Sequence, residues 1–127
     1  MRKTIVALIL EKNGLYLVEK RKDDDRNDPC SIVFPGGHVE DGESLEEAIK
    51  REAMEELNIQ LVNPKEIHIA KYDNINEKQK LHWFTCSEYL GEIKNNVAEE
   101  LLWIKASDYD MLTYQVGKNA LNALNKK

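Results

Sequence analysis

The sequence predicts an α/β fold, a mixed β-sheet sandwiched between α-helices. Three observations predict it. A β-branched, apolar opening segment is broken by Asn13-Gly14, a strong short-range hairpin signal. One strongly periodic helical pattern, over residues 44–57, interrupts strand-like segments in mid-chain. A second amphipathic segment closes the chain after further strand-like stretches.

In chain order, residues 4–10 and 15–20 form the two arms of the hairpin. Met1-Arg2-Lys3 followed by an apolar run superficially resembles a secretion signal. That run stops at Glu11-Lys12 without a small-residue cleavage site, so it reads as a strand, and a cytoplasmic location is expected. Residues 22–31, KDDDRNDPCS, form a polar loop. Asp23, Asp25 and Asn27 mimic the start of a calcium loop. Asp28 stands where that motif needs Gly and Phe34 where it needs Glu, so a solvated loop is expected, and substitution of Lys22 or Asp24 should matter little. Residues 32–34 form a short strand ending at the turn Pro35-Gly36-Gly37, where backbone can approach a ligand closely. The helix over 44–57 opens with Ser44-Leu45-Glu46-Glu47, a capping box, and stops at Asn58, which tolerates the left-handed conformation. Strands follow at 66–72, 81–89 and 100–104. Ser107 is placed to cap a short helical turn, and a helix over 113–125 sets Val116, Ala120, Leu121 and Leu124 on one face.

The 127 residues suit a single domain with a continuous core. A composition of 42% hydrophobic and 32% charged residues, without a long apolar run, argues against a membrane protein. The net charge of −5, with no basic block, argues against a nucleic-acid polymer as partner but leaves small phosphorylated ligands open. Cys30 and Cys86 form neither a CxxC pair nor a disulfide framework, and read as buried or incidental thiols. His38, His68 and His82 show no metal-ligand spacing. Oligomeric state, monomer or homodimer, is left open by the sequence.

The helix over 44–57 carries its acids in an unusual place. At about 100° per residue, Leu45, Ala48, Ile49, Ala53 and Leu57 define the face that packs on the core. Glu52 and Glu56 fall inside that arc, and Glu55 at its border. Carboxylates facing a core are costly unless paired or bound to metal, and acids at i, i+3 and i+4 repel one another. A divalent cation with oxygen ligands answers both difficulties.

These residues also match a family signature. Gly37, five residues, Glu43, seven residues, Arg51-Glu52, two residues, Glu55-Glu56, one residue, Asn58 and Ile59 resemble the Nudix box, G-x5-E-x7-R-E-U-x-E-E-x-G-U, with U apolar. Phe34-Pro35-Gly36 upstream and Glu99-Glu100-Leu101-Leu102-Trp103-Ile104 downstream are similar to family sequences too. Ala53 fills an apolar slot more often given a larger aliphatic, and Asn58 replaces a glycine at a modest cost in stability.

The resemblance implies a Nudix-like mixed sheet between helices and a metal-dependent pyrophosphohydrolase of nucleoside diphosphate derivatives. A compact MutT-like enzyme, cleaving nucleoside triphosphates to monophosphate and pyrophosphate, is the favoured reading. Dinucleoside polyphosphates, ADP-ribose or nucleotide sugars are the alternative substrates, and a non-catalytic nucleotide-binding regulatory module is the alternative of another class. Carried over by position, Glu52, Glu55, Glu56 and the Gly37 carbonyl would hold Mg2+ or Mn2+. Arg51 would orient the glutamates, and Glu43 would support the loop–helix junction. Glu52 is the first choice for general base, with Glu99 or Glu100 as the downstream candidate. His38, beside the glycine turn, is a candidate phosphate contact; Trp83, Phe84 and Trp103 read as core aromatics, and Phe34 or Trp83 could instead stack on a nucleobase. Such a site suits the chemistry, because bound metal neutralises the diphosphate and lowers the pKa of water, while a positioned base takes the proton.

Overall fold

The computed structural model describes residues 2–22, 30–73 and 77–125. Its strands are β1 (Lys3–Lys12), β2 (Leu15–Lys20), β3 (Ile32–Val33), β4 (Gly36–His38), β5 (Gln60–Val62), β6 (Lys65–Asp73), β7 (Lys78–Cys86), β8 (Glu88–Leu90) and β9 (Glu100–Ile104). The helices are α1 (Leu45–Leu57) and α2 (Gln115–Asn125), preceded by a 3-10 turn, Ala106–Met111.

Asn13 and Gly14 both take positive φ, 55° and 78°, as the tight hairpin turn requires. The two arms pair only beside that turn, Glu11 with Tyr16 and Lys12 with Leu15. Beyond it they part. β1 runs antiparallel to β4 through Ile5–Ala7 and parallel to β7 through residues 3–10. β2 pairs with β3 on one side and β9 on the other. β6 completes the sheet beside β7, and β5 with β8 forms a separate two-stranded ribbon.

Both faces of β1 are covered, which explains its unbroken apolar run. Ile5, Ala7 and Ile9 pack with Phe34, Trp83, Leu112 and Leu121 beneath α2. Val6, Leu8 and Leu10 point the other way, onto Ala48, Ile49, Ala53 and Leu57 of α1. The mixed sheet between helices is therefore as the sequence predicts.

The differences are local. Gly36 and Gly37, read as part of a turn with Pro35, instead open strand β4, because extended glycine backbone can pair closely with β1. The segment 81–89 divides at Ser87: β7 ends at Cys86, and β8 turns away to pair with β5, a ribbon the sequence reading omits. Ser107 lies inside the 3-10 turn rather than before it. Asp108 does the capping, its carboxylate accepting the Lys105 N–H at 3.0 Å. The calcium-like residues Asp23, Asp25 and Asn27, and Asp24 between them, lie outside the described residues.

Candidate active site

Helix α1 is fixed at both ends. Ser44 Oγ accepts the Glu47 N–H at 3.1 Å, and Glu47 Oε1 accepts the Ser44 N–H at 2.9 Å. This capping box anchors the first turn and holds the Glu47 carboxyl below its ordinary pKa. At the far end Asn58 adopts φ 62° and donates its N–H to the Met54 carbonyl at 3.1 Å. The segment at 94–96 satisfies the last open carbonyls: Asn96 Nδ2 reaches Glu55 O, Asn96 N–H reaches Glu56 O, and Lys94 N–H reaches Leu57 O. Val97 and Ala98 are thereby set against the acidic side of the helix.

On its outer side α1 carries a cluster of acids bridged by one arginine. Arg51 donates to both Glu43 oxygens at 2.7 and 2.9 Å, to Glu52 Oε1 at 2.9 Å and to Glu55 Oε1 at 2.8 Å. It also donates to the His38 carbonyl at 3.1 Å, which ties the helix to the end of β4. These hydrogen bonds, Glu43's first, raise the already high pKa of the guanidinium. In return Arg51 holds the Glu43 carboxyl down at about 2.

On its inner side the balance fails. Glu56 is only 8% exposed, and facing it is Glu19 of β2, only 4% exposed. Glu52 adjoins both. Burial, then the neighbouring carboxyls of Glu52 and Glu19, push the Glu56 pKa far above the ordinary range. Burial raises that of Glu19 as well, while hydrogen bonding with the Glu56 carboxyl, and then Arg21, oppose the rise. Glu19 Oε2 and Glu56 Oε2 are buried without a hydrogen-bond partner. An orphaned buried acceptor of this kind calls for a missing donor or cation.

The glycine turn is cut to fit this cluster. A methyl group on Gly37 would lie 2.5 Å from Glu52 Oε1, and one on Gly36 would lie 2.1 Å from the Val6 carbonyl oxygen. Only hydrogen at these two positions lets β4 run between β1 and the acids. The parting of the opening hairpin sets Glu19 on one arm and the glycines beside the other. Between them is a cavity of about 540 Å3, lined also by Arg21, Lys22, Val97 and Ala98.

Gly36 and Arg21 are shared with a second, larger groove of about 740 Å3. Phe34, Tyr72, Leu81, Leu112, Tyr114 and Val116 make its apolar part, with His38, Glu77 and Gln79 at the polar side. Tyr72 and Tyr114 meet edge-on with centroids 5.8 Å apart. His38 Nε2 lies 2.7 Å from Glu77 Oε1.

The residues singled out from sequence divide accordingly. Gly37, Arg51, Glu52, Glu55, Glu56 and Glu43 gather along α1 beside the glycine turn, although Glu55 is 55% exposed and directed to Arg51. Phe34 and His38 line the groove. Trp83 does not: it is buried edge-on behind Phe34, centroids 5.6 Å apart, as part of the core beneath α2. Glu99 and Glu100 do not reach the acidic cavity either. Both are exposed, and their backbone is engaged by Lys20 on the neighbouring strand. Lys22, taken as part of an inert loop, is on the cavity wall.

Sequence reasoning missed Glu19, Arg21, Tyr72 and Tyr114. Glu19 had a legible signal. Leu17 and Glu19 share one face of β2, and Leu17 packs under α1, so an acid two residues on points inward.

The model of the NUDIX domain matches residues 1–122. The chain belongs to the Nudix hydrolase family. Among Nudix relatives, the nucleoside triphosphatase NudI of Escherichia coli O139:H28 is 31% identical over 125 residues, covering 87% of this chain and 89% of that protein. The crystal structure of the MutT NUDIX hydrolase from Burkholderia pseudomallei superposes with a TM-score of 0.89 at 22% identity, over 98% of this chain and 99% of that one. The solution structure of the E. coli ORF135 protein gives 0.84 at 24% identity, over 98% and 89%. The chain is thus an enzyme of the Nudix class, with the Nudix fold. No helix among the described residues is long and apolar enough to cross a membrane.

Proposed function

We propose that this Nudix hydrolase cleaves nucleoside triphosphates to a monophosphate and pyrophosphate, using Mg2+ or Mn2+. The observation that carries the reading is the buried Glu56 carboxyl beside Glu52 and Glu19, whose Oε2 has no hydrogen-bond partner. An all-oxygen donor set of this kind suits a hard divalent cation. Among the described residues no three acids, histidines or cysteines are already gathered at coordinating distance. Arg51 instead engages Glu52 and Glu55, so a cation entering the inner cluster competes with a guanidinium for those two carboxylates.

Glu52, Glu55, Glu56 and the Gly37 carbonyl would hold the ion. Bound there, it supplies charge neutralisation at the diphosphate and a more acidic water. The remaining work belongs to the chain. Arg21 and Lys22 line the cavity wall, where cations can meet the phosphate oxygens. Glu52 stands between Arg51 and the inner pair, placed to take the proton of the attacking water. The water oxygen bonds to a phosphorus flanking the α–β bridge, and the bridging P–O bond breaks. Arg51 and Glu43 hold Glu52 in place. The adjoining groove accepts the nucleoside, its aromatic walls of Phe34, Tyr72 and Tyr114 suiting a flat base. Residues 1–127 are read as one domain, and a cytoplasmic location is part of the same proposal.

The relative named a nucleoside triphosphatase supports this substrate class over dinucleoside polyphosphates, ADP-ribose and nucleotide sugars. A panel of all four with Mg2+ or Mn2+, products separated by anion exchange, tests it. Monophosphate and pyrophosphate from triphosphates are expected. Turnover confined to the other three classes, or release of orthophosphate alone, would overturn it.

A further inference from the structure

We propose that Glu19 of β2 is an additional ligand to the divalent cation, so that the metal site spans the sheet and α1 rather than α1 and the glycine turn alone. The inference rests on the proposed metal-dependent reading and extends its ligand set to a residue outside the Nudix box. Three observations carry it. Glu19 is 4% exposed, yet its Oε2 has no hydrogen-bond partner. The orphaned oxygen is matched by another, Glu56 Oε2, across the same cavity. Its strand position is otherwise apolar: Val33 and Leu101 are its cross-strand neighbours, and Leu17 precedes it on the same face.

A structural ion pair with Arg21 is the competing account. Arg21 stabilises the charge of Glu19, but the coupling leaves Oε2 unsatisfied. A carboxylate kept only for stability would fill its acceptors with donors, since an unpaired buried charge is strongly destabilising. Hydrogen bonding between the facing Glu19 and Glu56 carboxyls still leaves Oε2 of each without a partner, and a cation between them would engage both. The opening hairpin supplies the means: its arms part just where Glu19 must reach past β4 to α1.

The test measures metal uptake without nucleotide. Nucleotide-free wild type, Glu19→Gln, Glu19→Asp and Glu56→Gln are titrated with Mn2+, and free ion is read by electron paramagnetic resonance. Glu19→Gln should weaken Mn2+ binding by about 10- to 100-fold, the loss usual when a group supporting a metal is removed. Its metal-free melting temperature should equal or exceed that of wild type, since a neutral amide relieves the facing carboxylates. Glu19→Asp, which keeps the charge but withdraws it, should bind at intermediate strength and covers the case in which the amide misfolds. Equal affinity in wild type, Glu19→Gln and Glu19→Asp, with binding lost in Glu56→Gln, would overturn the role of Glu19 while leaving the metal reading intact. A wild type that takes up no Mn2+ would overturn both.

Discussion

The two sides of helix α1 handle the same chemical problem in opposite ways. On the outer side, Glu43, Glu52 and Glu55 gather around Arg51, and every contact is a charge-assisted hydrogen bond of 2.7 to 2.9 Å. On the inner side, Glu56 and Glu19 face each other in a buried cavity, each with an oxygen that bonds to nothing. The outer cluster is complete with protein atoms alone. The inner one is complete only with a cation. Glu52 belongs to both, and this is why a single helix can hold a rigid scaffold and a reactive site within two turns. An acid cluster signals function where buried carboxyl oxygens are left without partners, not where it is dense.

The largest break in this comparison should come from Glu56→Gln. It replaces a carboxyl that can bind a cation by an amide of almost the same volume, so Mg2+-dependent turnover should nearly vanish while the metal-free melting temperature holds or rises. A variant that melts much lower would recast Glu56 as structural. Glu52→Gln should lower kcat by about 10²- to 10⁴-fold, the range for loss of a general base. Its KM should move less, and steady-state kinetics separate the two.

The glycines sharpen the comparison further. Alanine at Gly37 meets the end of a side chain, Glu52, whereas alanine at Gly36 meets the Val6 backbone. Gly37→Ala should therefore depress kcat with little loss of stability, because Glu52 moves aside. Gly36→Ala should destabilise the fold by about 1 to 3 kcal/mol, as overpacking does. Urea denaturation beside initial rates distinguishes them, and the reverse pattern would misplace the turn.

Glu43 tests the outer cluster by pH. Arg51 lowers its folded-state pKa from 4.5 to about 2. The stabilisation it contributes is present above the unfolded value and is lost as pH falls toward the folded one. Glu43→Gln should therefore be less stable than wild type at neutral pH, with the gap narrowing between pH 4.5 and pH 2. Parallel denaturation curves at both ends check the sign. The smallest effects belong to Glu99→Gln and Glu100→Gln: both residues are exposed and outside the cavity, so rates should stay within about twofold of wild type.

The sequence made the scaffold legible wherever local chemistry dictated it. Asn13-Gly14 named its turn, Ser44 and Glu47 named their cap, and Asn58 named the end of the helix. Periodicity placed Glu56 on the core side of α1, where it is buried. Partners contributed by distant strands were not legible. Glu19 is one acid at the end of an apolar strand, and only the parting of the hairpin brings it opposite Glu56. Tyr72 and Tyr114 are far apart in the chain and meet because α2 folds over β6. Trp83 is core, as its size favours, and Glu99, just before β9, is exposed outside the cavity.

The central claim is that the inner carboxylates await a divalent cation. Anomalous diffraction at the manganese edge, from crystals grown with Mn2+ and without nucleotide, tests it most directly. The account predicts a strong peak bounded by Glu52, Glu56 and the Gly37 carbonyl, with Glu52 drawn away from Arg51. Crystals that show no anomalous peak there, with Glu52 still bonded to Arg51, would contradict it.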